Sequence, residues 1–79
     1  MFDQATKYTY KGKVYLVEHG DPFDRGSADS WYNRPQDPHK GGVGGNSGPR
    51  VEKLTASEVE AYYAGYAWNE QFGGKKDYN

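Results

Sequence analysis

Cysteine and isoleucine are absent from this 79-residue chain, and its only leucines are Leu16 and Leu54. Without cysteine there is no disulfide, no iron–sulfur cluster and no thiol nucleophile, which fits a reducing compartment. Leucine, valine and phenylalanine together supply only ten residues. That is below the roughly 20% at which a highly charged chain is read as disordered. The charge condition fails, because 10 basic and 11 acidic side chains leave a net charge of −1. The same balance argues against non-specific attachment to nucleic acid, which depends on neutralising phosphates. No apolar run approaches the roughly 18 residues of a membrane-spanning helix. The first residues, Met1 to Lys7, carry neither the basic nor the apolar region of a signal peptide. The expectation is a cytoplasmic protein with no membrane association.

Aromatic residues fill the space left by the aliphatics. Eight Tyr, two Trp and three Phe make 16% of the chain. Each buries on the order of 150–250 Å², enough for a small aromatic core in one small domain spanning residues 1–79.

The alternation in Lys7-Tyr-Thr-Tyr-Lys-Gly-Lys-Val-Tyr-Leu-Val17 predicts a β-hairpin over about 7–17, turning at Lys11-Gly12. In that register Tyr8 faces Tyr15 and Thr9 faces Val14. Tyr8, Tyr10, Tyr15 and Val17 then share one face, and Val14 and Leu16 take the other. Asp21-Pro22 supplies an N-cap and a first helical residue for a short helix over about 22–33, stopped by Arg34-Pro35. Gly26, Ser27 and Ser30 give that helix a small-residue surface. Residues 36–50 contain five glycines and read as a flexible loop. The glycines do not make a phosphate cradle, because Gly48 is followed by Pro49-Arg50 rather than by Lys and Ser or Thr.

A capping box, Thr55-x-x-Glu58, opens a longer helix over about 56–72. Val59, Tyr62, Tyr63, Tyr66 and Ala67 form one apolar stripe of it; Ala61, Ala64, Gly65, Trp68 and Phe72 form the opposite one. The Ala/Gly row permits close approach of the first helix. Gly73-Gly74 ends the helix, and a polar tail occupies 73–79. The fold class expected is therefore α+β: hairpin, short helix, glycine-rich loop, longer helix.

Catalytic and metal signatures are weak. His19 and His39 sit beside acidic residues in Glu18-His19-Gly20-Asp21 and Asp37-Pro38-His39, but nothing in the spacing makes these groups converge. Arg25 and Asp29 are four residues apart and can pair across a turn. Lysines interleaved with tyrosines in the hairpin suggest a stacking surface for single-stranded nucleic acid, or lysines guarding a strand edge; the second reading is preferred. No enzyme, cofactor or metal site is expected.

Three segments together carry a resemblance: Asp24-Arg-Gly-Ser-Ala-Asp-Ser-Trp-Tyr-Asn-Arg-Pro35, then Pro38-His39, then Tyr63-Ala-Gly-Tyr-Ala-Trp-Asn-Glu70. The set resembles short uncharacterised proteins of tailed phages and their gammaproteobacterial hosts, over roughly half of the chain; the hairpin lies outside it. That family implies no established activity. A weaker likeness is to ribosome modulation factor, with Gly26 and Gly65-Tyr66 in comparable places. It implies two helices around a Pro-containing connection. That factor is strongly basic and binds ribosomal RNA, whereas this chain carries −1.

The reading that follows is a small non-enzymatic protein-binding module, phage- or prophage-encoded and acting on a host protein. The alternative is a ribosome- or RNA-associated modulator. A helix apolar on both faces in a chain short of core implies that one face belongs to a partner, or to a second copy of the chain. The expected docking residues are Trp31, Tyr32, Arg34, His39, Tyr62, Tyr66, Trp68 and Phe72. A polar–aromatic network of Arg25, Asp29, Tyr32, Arg34, His39, Tyr63, Tyr66 and Asn69 is expected between the helices.

Overall fold

The computed structural model describes residues 6–42 and 48–74. The centre of the expected flexible loop (43–47) and the last residues of the expected polar tail (75–79) lie outside the described residues. Strands β1 (Thr6–Tyr10) and β2 (Lys13–Val17) form an antiparallel hairpin, followed by helices α1 (Pro22–Trp31) and α2 (Ala56–Phe72). This is the α+β order that the sequence predicts. No helix among the described residues is long and apolar enough to cross a membrane.

The hairpin pairs Tyr8 with Tyr15 and Thr9 with Val14, as the alternation requires. Its two-residue turn puts both Lys11 (φ 52°) and Gly12 (φ 79°) in the left-handed region. Positive φ at both central positions is what a type I′ turn needs, because its twist matches that of the strands. The inner face carries Tyr8, Tyr15 and Val17 onto the helices. Phe23 lies 4.8 Å from Tyr8 and 5.1 Å from Tyr15, measured between ring centres, and Trp68 meets Tyr8 edge-on at 4.8 Å. The outer face leaves Val14 53% and Leu16 68% exposed.

Two carboxylates shape the turn from β2 into α1. Asp21 occupies the N-cap position in extended conformation, with Pro22 following, but its side chain caps no helical N–H. It turns back instead and accepts the Glu18 N–H at 2.9 Å, while Asp24 accepts the Gly20 N–H at 2.9 Å. The capping expected of Asp21 is thus redirected to the turn itself. Helix α1 stops at Trp31, two residues before the predicted end. The reason is Asn33, at φ 61°. Its N–H reaches the Ser30 carbonyl at 3.0 Å and the next N–H, of Arg34, reaches the Asp29 carbonyl at 2.8 Å. This crossed pair of bonds is the Schellman closure, with asparagine in the place usually taken by glycine.

The connection to α2 is bonded where it is described. Lys40 and Val51 form a two-way antiparallel bridge, the Gly41 N–H reaches the Gly20 carbonyl at 2.8 Å, and the Gly42 N–H reaches Gly48 at 2.9 Å. Lys40 also pairs with Glu58, the same glutamate whose carboxylate accepts the Thr55 N–H at 2.9 Å in the capping box. The Lys40 ammonium and the Thr55 N–H hold the Glu58 carboxyl below the usual glutamate range.

Helices α1 and α2 pack backbone to backbone. A Cβ placed on Gly26 would lie 2.0 Å from the Tyr62 carbonyl oxygen, and one on Gly65 would lie 2.1 Å from the Phe23 carbonyl oxygen. Each glycine faces the main chain of the other helix. The seam therefore takes Tyr62, Gly65 and Asn69 inward, while Ala64 is covered as well. It cuts between the two expected apolar stripes rather than following either.

Ordinary overpacking costs about 1–3 kcal/mol, and most of that range assumes a neighbour that can move. A main-chain carbonyl 2 Å away cannot, short of parting the helices. We expect Gly65→Ala or Gly26→Ala to abolish the cooperative thermal transition followed by circular dichroism. A transition retained within a few degrees of the parent would show that the helices do not approach this closely.

Candidate functional site

The interior between the helices is polar as well as aromatic. Asp29 is 3% and Tyr62 is 0% exposed. The Tyr62 hydroxyl donates a short hydrogen bond to Asp29 Oδ2 and accepts the Asp37 N–H at 2.9 Å. Arg34 closes on the other carboxylate oxygen of Asp29 at 3.1 Å. The His39 ring, 5% exposed, stands with Nδ1 at 3.9 Å from Asp29 Oδ2, too far for a hydrogen bond. Its Nδ1–H donates instead to the Asp37 carbonyl at 2.7 Å. Tyr66 donates to the Arg34 carbonyl from the next turn of α2. One buried carboxylate thus ties α1, the segment after it and α2 together.

A second polar knot closes the far end of the helix pair. Asn69 donates to Ser30 Oγ at 3.0 Å and to the Gly74 carbonyl at 2.8 Å, and Ser30 donates to Glu70 at 2.7 Å. No buried side-chain nitrogen or oxygen among the described residues lacks a partner. Full satisfaction of this kind is what lets a polar interior hold a fold.

Of the expected network, Asp29, Arg34, His39 and Tyr66 come together; Tyr32 faces outward and Asn69 belongs to the second knot, and two further members differ. Tyr62, not Tyr63, reaches Asp29; Tyr63 is 42% exposed. Arg25 does not pair with Asp29 across the helix turn but lies 2.9 Å from Asp24. Asp29 points at the seam, where Tyr62 and Arg34 occupy it, so Arg25 takes the carboxylate next to it. Ser30, Asp37 and Glu70 take part as well. Their signal is small: a serine in an Ala/Gly-like row, and a backbone N–H that no side-chain pattern announces.

The expected docking residues fall into three groups. Arg34, His39, Tyr62 and Tyr66 gather around Asp29 and Asp37, with Tyr62 and His39 inside the molecule. Trp68 is half-buried against Tyr8 and Phe72. Trp31, Tyr32 and Phe72 face outward, 41%, 37% and 63% exposed. Arg34 also sits over the Tyr32 ring, 4.7 Å from its centre.

An open groove of about 520 Å³ runs between the hairpin and α2. Tyr10, Tyr15 and Tyr63 line it together with Lys11, Lys13 and Glu60. Lys13 reaches Glu60 at 3.4 Å across it, with both side chains more than half exposed. The hairpin side of the groove comes from the Lys/Tyr alternation, which in the sequence reads as lysines guarding a strand edge; the contribution from α2 is not visible there. His19 is 70% exposed beside Asp24, on a different carboxylate from His39. Among the described residues no group of three or more His, Asp or Glu side chains is placed to hold a metal ion.

Burial, and then the Asp29 carboxylate, raise the Tyr62 phenol well above its ordinary value near 10. A phenol that stays neutral in the folded state contributes stability fully present below pH 10, lost as pH climbs toward the folded value. Between about pH 10 and 12 stability should therefore fall by up to about 1.4 kcal/mol per pH unit through this one group. Tyr62→Phe should lose about 2–3 kcal/mol at neutral pH, because Asp29 and the Asp37 N–H each lose a partner, and should show a shallower alkaline decline. Urea unfolding across pH 7–11 reads both effects; equal alkaline slopes in the two proteins would rule out the buried phenol as their source.

No protein-family model, curated protein or solved structure matches this chain.

Proposed function

We propose that the protein is a small non-enzymatic module that binds another protein. The phage-type resemblance of its helical segments extends this to a phage- or prophage-encoded factor acting in the host cytoplasm on a host protein. One observation carries the reading. Among the described residues six large apolar side chains are exposed (Val14, Leu16, Trp31, Tyr32, Tyr63 and Phe72), against a buried apolar set of Val17, Phe23, Tyr62 and Ala64. Val14 and Leu16 lie together on the outer face of the hairpin, 53% and 68% exposed, an adjacent apolar pair of the kind a partner covers. A second copy of the chain is another way to cover it.

The RNA-associated alternative needs free cations on one face. Of the six cations that such a face would gather (Lys7, Lys11, Lys13, Arg34, Lys40 and Arg50), Lys13, Arg34, Lys40 and Arg50 are each engaged by a carboxylate: Glu60, Asp29, Glu58, and Asp37 with Glu52. A phosphate backbone would have to displace those partners, which supports the protein reading over the nucleic-acid one.

Tagged protein drawn through bacterial lysate, with and without nuclease, separates the two. A protein retained in stoichiometric amount after nuclease treatment is the expected result. Recovery of ribosomal proteins only when nuclease is omitted would place the RNA reading first.

A further inference from the structure

We propose that the outer face of the hairpin is a two-fold contact between copies of this chain. Val14 and Leu16 of each copy are covered by the other, and the Lys7 ammonium of each meets the Glu18 carboxylate of the other. The contact goes beyond the protein-binding reading and leaves Trp31, Tyr32, Tyr63 and Phe72 for it.

The hairpin is a sheet covered on one side only. Its inner rings lie on Phe23 and Trp68, whereas Lys7, Thr9, Val14 and Leu16 are all exposed. The pairing register sets Thr9 beside Val14 and Lys7 beside Leu16, so these four share the outer face. The alternation carries that face one residue further, since Val17 is buried and Glu18 is exposed. A two-stranded sheet has little stability by itself. Two sheets packed face to face interlock their side chains across about 10 Å, a distance that leucine, valine and the stem of lysine fill.

Charge selects a second copy as the cover. Of the three hairpin lysines, Lys13 is paired with Glu60 and Lys11 lies over the Tyr10 ring. The Lys7 ammonium has no partner among the described residues, and neither has the Glu18 carboxylate. One free cation and one free anion thus flank an apolar pair on a single face. A two-fold axis along the strands lays β1 of each copy over β2 of the other. The stem of Lys7 then crosses Leu16 of the second copy and carries its ammonium toward Glu18 there, while Thr9 covers Val14. Symmetry repeats each contact. The face is therefore its own complement. A foreign surface would have to bring an apolar pair with both charges in this arrangement, which the chain already carries.

The patch also sets the strength. Stable interfaces bury about 1,200–2,000 Å² in total. Lys7, Thr9, Val14, Leu16 and Glu18 cover less than that, so the dimer forms at roughly 100 µM and above.

Sedimentation equilibrium and amide NMR of the full chain, from about 10 µM to about 1 mM, test this. The expected result is a monomer–dimer equilibrium with concentration-dependent shifts at Lys7, Thr9, Val14 and Leu16. Lys7→Glu and Glu18→Lys should each weaken association about tenfold and keep the parent's melting temperature within a few degrees. Mixing the two variants should restore a dimer, because each reversed charge then meets its opposite. Leu16→Lys, at a position 68% exposed, should give a folded monomer. A parent still monomeric at about 1 mM, or a dimer indifferent to these substitutions, would overturn the assignment. So would shifts confined to Trp31 and Phe72. In the lysate experiment, a nuclease-resistant protein lost from Leu16→Lys would give the face to that protein and overturn the dimer. One retained by Leu16→Lys keeps the two contacts separate, as expected. Absence of any such protein from the parent removes the protein-binding reading and leaves the dimer standing.

Discussion

Everything in this molecule follows from how near two helices can come. Gly26 and Gly65 each lie against a main-chain carbonyl of the opposite helix, at Tyr62 and Phe23. The contact is reciprocal, so both helices are held in rotation as well as in separation. It carries Phe23 toward the hairpin tyrosines and brings Tyr62 and Asp29 together at the seam. A chain with two leucines and no isoleucine cannot fill a wide gap between helices. It removes the gap instead.

Closing the gap leaves room for polar groups only where each finds a partner. Asp29 is the costliest of them, since a lone carboxylate away from water is strongly disfavoured. Arg34 and the Tyr62 hydroxyl satisfy it, and the Asp37 N–H completes the tyrosine. The ion pair by itself is weak evidence of stability, because desolvation offsets much of the attraction. Its value lies in position. Arg34 and Asp37 both belong to the segment after α1, so their bonds to Asp29 and Tyr62 fasten that segment to both helices.

The parts legible from sequence are those whose signal is local. Period-two alternation and Lys11-Gly12 settle the hairpin register; Thr55 and Glu58 announce the start of α2 within four residues. The Ala/Gly row on α2 and the small residues of α1 foretell the close crossing. Illegible was which of two adjacent tyrosines turns inward. Tyr62 and Tyr63 differ by one step of about 100° around the helix, and no local pattern separates them. Tyr62 shares its face with Gly65, three residues on, so the glycine contact decides the matter; it is a fact about two helices, not one. The last residues of α1 are set by a quieter signal. Pro35 gives a loud stop signal, whereas Asn33 acts earlier through a left-handed conformation that asparagine only sometimes adopts. The groove was hidden because its walls come from segments some fifty residues apart, joined only by folding.

The hairpin stands in a different relation to the molecule from the helices. Its backbone bonds run within its own two strands, and it rests on the helices mainly through the rings of Tyr8 and Tyr15. A two-stranded sheet has little stability of its own, and ring contacts slide where interlocked backbones do not. Amide hydrogens of the hairpin will accordingly exchange with solvent before those buried along the helix seam. The groove has one wall in each regime. Its α2 side is fixed to the most persistent part of the fold, and its hairpin side belongs to the part that opens first, so the width of the opening is a breathing coordinate while the wall behind it stays still.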